Sequence, residues 1–226
     1  FKTTAPMLHF FTMLSARYEL QKKQDGDVSL EIYYHKPHAT NVDRMMQAME
    51  TSLDYYSKNF SPYQFKSMRI VEIPAYRSYA QSFPGTIAYS EATGFIIDPP
   101  AKDSEKYDGI TYITAHELAH QWWAHQVVPG NVQGATLLSE TLSQYSALMV
   151  MEHMHGRDQM RRFLKYELDR YLQGRGGERI EELPIYLVEN QPYIHYRKGS
   201  LVMYALKDYV GEEALNRALA EYVRAV

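Results

Sequence analysis

His116-Glu117-Leu118-Ala119-His120-Gln121-Trp122 lies in an apolar run, Ile110 to His125, that reads as a buried helix. Two histidines four apart share one helix face, so both imidazoles can reach one ion. Glu117 stands about 100° round from His116 and can reach a water on that ion without being a ligand. A solvated surface helix could carry the same three residues. Leu118, Ala119, Trp122 and Trp123 argue against that, and buried imidazoles need partners. A catalytic zinc needs a third protein ligand and an open fourth position. A third histidine further along the same segment is excluded, because Gln126 and Trp123 stand where such a motif needs histidine and glycine. His125 is about 140° round from His120 and is set outside the site. A carboxylate from the next helix remains. Glu140, in Leu137-Leu138-Ser139-Glu140-Thr141, opens an apolar helix after the break at Pro129-Gly130. A first-turn glutamate is also favoured by the helix dipole alone, so the weight on Glu140 comes from the motif upstream.

Outward from this motif the chain divides in two. Upstream, Val28–Tyr34 and Ser67–Ile73 read as strands, and a third extended stretch runs from Gly85 to Ile97, closed by Asp98-Pro99-Pro100. Asn41 is placed to cap a helix through Met45, Met49, Leu53 and Tyr56. Downstream the period is helical. One helix runs from Thr136 to His155. Another is capped by Asp158, with Met160, Leu164, Leu168 and Tyr171 inward, and is followed by a loop at Gly174–Gly177. A third passes through Leu201, Ala205 and Tyr209, and a last one opens at Glu212. Strands first and helices second predict an α+β fold, with a β-rich lobe over 1–105 and a helical lobe over 106–226 around one cleft.

Composition narrows the function. The 226 residues carry 24 Lys and Arg against 27 Asp and Glu, interspersed, for a net charge of −3. That argues against a basic nucleic-acid surface. With no cysteine, thiolate metal sites and cysteine nucleophiles are excluded. No apolar run approaches a membrane span of about 20 residues. The chain does not begin with Met and stops inside a predicted helix, so it is expected to be a piece of something longer.

His116 to Trp122, with a helical glutamate following, resembles the M1 family of zinc aminopeptidases, gluzincins with a thermolysin-like catalytic domain. Nineteen residues separate His120 from Glu140, one more than the family's usual spacing. The extra residue is expected in the Pro129-Gly130 loop. The usual residues around the glutamate are also altered, to Leu-Leu-Ser-Glu-Thr. Tyr196-Arg197-Lys198-Gly199 is similar to a segment whose tyrosine donates to the oxyanion of the tetrahedral intermediate. The adjacent His195 is the alternative, since thermolysin-type endopeptidases use a histidine there. The family also carries an edge-strand motif whose glutamate binds the substrate's free amino terminus, and Glu91, followed by Gly94, is matched to it.

The resemblance implies a single thermolysin-like domain over 1–226, one Zn²⁺ held by His116, His120 and Glu140, and Glu117 as general base. Tyr196 would stabilise the oxyanion, and Glu91 would bind a peptide with a free amino terminus. The wording around Glu140 and Tyr196 is similar to a bacterial branch joined to a transporter-permease-like membrane protein. The alternatives are an endopeptidase on the same site and a catalytically silent binding module.

Overall fold

A computed structural model describes residues 3, 5–98 and 107–226. The expected lobe boundary at 105/106 and the Pro99-Pro100 stop lie outside the described residues. Five strands form one sheet: β1 (Glu19–Asp25), β2 (Val28–Tyr34), β3 (Ser67–Ile73), β4 (Ala80–Phe83) and β5 (Thr86–Ser90). Their order is β1-β2-β3-β5-β4. The inner strands β2, β3 and β5 run parallel, and the edge strands β1 and β4 are antiparallel to their neighbours. Helix α1 (Val42–Asn59) crosses over between β2 and β3, as a parallel pair requires.

Register explains the core. Ile32, Ile70 and Ile87 stand side by side across the three parallel strands, with Leu30 beside Met68. All five are fully buried. The opposite alternation carries Glu31, bonded to Ser29, Tyr33 and Arg69. Met45, Met49, Leu53 and Tyr56 of α1 lie in the same core, at the helical spacing read from the sequence. Asn41 does precede α1, but its amide does not cap it. The side chain donates instead to Gly94 O and Ile97 O, both at 2.8 Å.

The second half is helical: α2 (Gly109–Ala119), α3 (Leu142–His155), α4 (Met160–Gly177), α5 (Gly199–Val210) and α6 (Glu212–Ala225). Asp108 caps α2 by accepting from Thr111 N and is itself bonded by Arg44. Such a cap contributes about 1 kcal/mol. Helix α2 is buried from Ile110 almost throughout, and α3 is buried from Leu142 to Met151.

Several local expectations are corrected. The helix expected from Ile110 to His125 ends at Ala119. Beyond it the backbone bonds mix short and long spans, such as Gln121 N to Leu118 O and His125 N to His120 O. Gly174–Gly177 belongs to α4 and is no loop. Arg157–Gln159 forms a short 3₁₀ turn ahead of α4, so Asp158 does not cap that helix. The buried stripe of α4 is Met160, Phe163 and Glu167, while Leu168 is exposed. Buried Glu167, paired at 2.9 Å with the partly exposed Arg197, stands in the stripe that leucines were expected to fill. On α5 the inward residues are Gly199, Ser200, Tyr204 and Lys207, because Tyr204 and Lys207 both reach Glu152. The stretch from Gly85, expected at the sheet edge, is interior, and the edge strand is β4.

Candidate metal centre

Three chain segments meet at one point. His116 lies in the last turn of α2, His120 is the first residue beyond it, and Glu140 sits in a π-helical turn, Leu137–Thr141, that leads into α3. His120 Nε2 is 3.1 Å from His116 Nε2. Glu140 Oε2 is 3.3 Å from His116 Nε2 and 3.4 Å from His120 Nε2. Zinc bonds of about 2.0–2.1 Å at tetrahedral angles put two donors about 3.3 Å apart. The three atoms therefore outline one face of a tetrahedron. Glu140 Oε2 has no hydrogen-bond donor, so its lone pairs are free for an ion.

The histidine beyond α2 is oriented from behind. His120 Nδ1 is 3.2 Å from Trp123 O and 3.1 Å from Ser143 Oγ. A carbonyl only accepts, so Nδ1 carries the proton and Nε2 turns its lone pair to the other two donors. Ser143 is three residues beyond Glu140, a helical neighbour that spacing alone could have found. Burial works against an ionised Glu140, but the two imidazoles outweigh it and hold the carboxyl well below the usual range. His120 is likewise disfavoured by burial yet raised to about 9, chiefly by Glu140. Both shifts describe a pocket that favours positive charge between the three donors.

Glu117 is also buried, and burial raises it more than the neighbouring imidazoles lower it. The backbone at Ser82 of β4 also lowers it. The placement of β4 depends on Gln121, which the sequence reading passed over. Its Oε1 accepts from Gly85 N, and its Nε2 donates to Ser82 Oγ and Phe83 O.

Tyr196 lies in a second π-helical turn, Tyr193–Lys198. Its ring centroid is 5.9 Å from that of His116, and the Glu140 charge acts on its hydroxyl. Burial, then the Glu140 charge, raises this phenol well above its usual value, so it remains a donor. The two π turns are joined by Thr141 Oγ1, which donates to His195 O at 2.6 Å. Gly199 permits this approach. A Cβ there would stand 2.6 Å from Thr141 Oγ1 and 2.7 Å from its methyl carbon. His195 is buried beside Tyr196, with its Nδ1 unpartnered. A π turn accommodates one residue more than an α turn, so the turn at Leu137–Thr141 offers a second place, besides the Pro129-Gly130 loop, for the longer His120–Glu140 spacing.

Glu91 is not brought into this group. It lies in a third π-helical turn, Glu91–Phe95, after β5. One oxygen accepts from Ala75 N, and the other faces His38. His125 is buried with Nε2 3.4 Å from Ser82 O, and burial lowers its pKa to about 4.

The model of the peptidase family M1 domain matches residues 42–226. Among curated proteins, human endoplasmic reticulum aminopeptidase 2 is 24% identical over 233 aligned residues, covering 99% of this chain and 24% of its own. Leucyl aminopeptidase of Saccharolobus solfataricus is 27% identical over 188 residues, covering 79% of this chain and 23% of its own. The M1 zinc metallopeptidase of Deinococcus radiodurans superposes with a TM-score of 0.66 at 21% identity, over 92% of this chain and 44% of that one. The chain thus spans about a quarter of the length of the curated relatives it matches. Nothing in these comparisons supports a transporter-permease-like fusion. Among the described residues no helix is long and apolar enough to cross a membrane. With the family model covering most of its length, and with the helix-borne His-Glu-x-x-His and its partner glutamate assembled in space, the chain belongs to peptidase family M1.

Proposed function

We propose that this domain, as part of a longer protein, hydrolyses the first peptide bond of peptides with a free amino terminus. The observation that carries the reading is the mutual 3.1–3.4 Å spacing of His116 Nε2, His120 Nε2 and Glu140 Oε2. Two imidazoles and one carboxylate, with a fourth position left open, form the donor set of a catalytic zinc. When bound, zinc supplies a Lewis acid for the scissile carbonyl and a nucleophilic water at neutral pH.

The remaining roles fall to the protein. Glu117, made a stronger base by burial, takes the proton of the attacking water and passes it to the leaving amine. Tyr196, held neutral, donates to the developing oxyanion. Arg197, paired with Glu167, and Thr141, bonded to His195 O, hold the Tyr196 turn against α4 and the Glu140 turn. Gln121, bonded to Ser82 Oγ, Phe83 O and Gly85 N, holds β4 against this end of α2. Exopeptidase action is supported by the aminopeptidase relatives rather than by a contact to Glu91.

The test compares one peptide with a free and with an acetylated amino terminus, using zinc-loaded protein and a chelator control. Cleavage of the free peptide only, abolished by the chelator, is the expected result. Equal cleavage of both would make the domain an endopeptidase. No cleavage of either by the metal-loaded full-length protein would favour a silent binding module.

A further inference from the structure

A second group of histidines and carboxylates gathers at the carboxyl ends of the parallel strands. His35 follows β2, His38 lies in the short 3₁₀ turn Lys36–Asn41, Glu72 is near the end of β3, and Glu91 follows β5. Their ligand atoms all lie within 4.8 Å of one another. Strand alternation explains Glu72. It continues the row of Met68 and Ile70, so its carboxylate points to the buried face of the sheet. The side chain is 0% exposed. Among the described residues its ion-pair partners are His35 and His38, neither a permanent cation. A buried carboxylate needs a compensating charge.

Each carboxylate has one oxygen fixed and one presented. Glu72 Oε2 accepts from His35 N at 2.6 Å, and Glu91 Oε1 accepts from Ala75 N at 2.9 Å. The second oxygens face the imidazoles. Glu72 Oε1 is bonded by His38 Nδ1 and lies 3.6 Å from His35 Nδ1. Glu91 Oε2 lies 3.7 Å from His38 Nδ1. The 3.6 and 3.7 Å separations are too long for hydrogen bonds. They are close to the about 3.3 Å edge of a tetrahedral zinc site. Behind the group, Tyr18 stacks on the His35 ring and donates to Glu72 O. Asn41 ties the His38 turn to Gly94 O in the Glu91 turn. A Cβ at Gly94 would meet Met45 Cε at 2.3 Å, so that turn lies tight against α1. Two carboxylates and two neutral imidazoles balance one divalent charge. Solvent reaches the group through His35, His38 and Glu91, all partly exposed.

We propose that His35, His38, Glu72 and Glu91 form a second, structural site for a divalent transition-metal ion of the zinc class. It joins the carboxyl ends of β2, β3 and β5. All four positions are filled by protein, so the site is closed and has no place for a substrate. N and O donors without sulfur suit zinc or cobalt.

The experiment strips the protein with chelator, reloads it with Zn²⁺ alone, desalts it and counts metal by mass spectrometry. Two ions per chain are expected in the unaltered protein. One is expected in His116→Ala/His120→Ala, and none when His38→Ala is added to that pair. His38→Ala alone should bind one ion and keep peptidase activity. Calorimetric Zn²⁺ titration of the unaltered apoprotein, which needs no variant to fold, should resolve two classes of site, and His38→Ala should remove one. A single ion in the unaltered protein that is lost in His116→Ala/His120→Ala, or a count unchanged by His38→Ala, would overturn the proposal and leave the group as an ion-pair network. Failure at the triad would instead appear as one ion that survives His116→Ala/His120→Ala.

Discussion

Two groups of histidine and glutamate lie in this chain, and they are built differently. At the strand ends, both carboxylates have one oxygen tied to a backbone amide, and four protein donors surround the space between them. At the end of α2 there are three donors, and the glutamate's free oxygen has no donor at all. The first arrangement is closed and rigid. The second offers three donors and leaves a fourth position unfilled, with Glu117 and Tyr196 close by. Similar ligand chemistry therefore separates into a candidate brace and a candidate reaction centre by the number of positions that the protein leaves free.

The difference can be probed by substitution, beginning with the largest effect. Glu117→Gln keeps the size of the side chain and removes the base, so turnover should fall by about 10²–10⁴-fold. Its bound metal, counted by mass spectrometry, should be unchanged. Tyr196→Phe removes one donor to the oxyanion and should lower kcat by about 10²–10³-fold with KM nearly constant. His195→Ala should cost much less, and the reverse ranking in steady-state kinetics would assign the donor to His195.

Ser143→Ala loosens the ring of His120 without touching a ligand atom. Zinc affinity at the triad, measured by competition with a chelator, should weaken about 10–100-fold. The smallest effect concerns His125. Its imidazole titrates near 6.5 when unfolded and near 4 when folded. The unfolded chain therefore takes up the proton first as pH falls, so stability is lost from pH 6.5 down to about 4 and then levels off. The loss is on the order of 3 kcal/mol. His125→Asn should flatten denaturant midpoints over that window.

The sequence exposed some of this more clearly than the rest. The strands Val28–Tyr34 and Ser67–Ile73 are found at those bounds because alternation and turn residues coincide there. The edge strands β1 and β4 were not foreseen. Glu19–Asp25 is polar and β4 has four residues, so neither shows an apolar period. The His116, His120 and Glu140 group was legible because helical spacing and an apolar frame left few other readings. Glu91 was not. A residue's neighbours after an interior strand depend on sheet order, and β5 lies between β3 and β4. The strand-end group draws on four segments separated by up to 56 positions, and no local spacing joins His35 to Glu91. The buried faces of α4 and α5 were misjudged for a related reason. Glu167 and Lys207 lie inside because partners distant in sequence neutralise them.

The most direct measurement counts zinc on the His38→Ala protein, where only the triad should bind, with and without Glu140→Ala. One ion per chain is predicted before the second substitution and none after it, together with loss of peptidase activity. A zinc ion retained after Glu140→Ala, in protein whose circular dichroism is unchanged, would contradict the assignment of Glu140 as the third ligand.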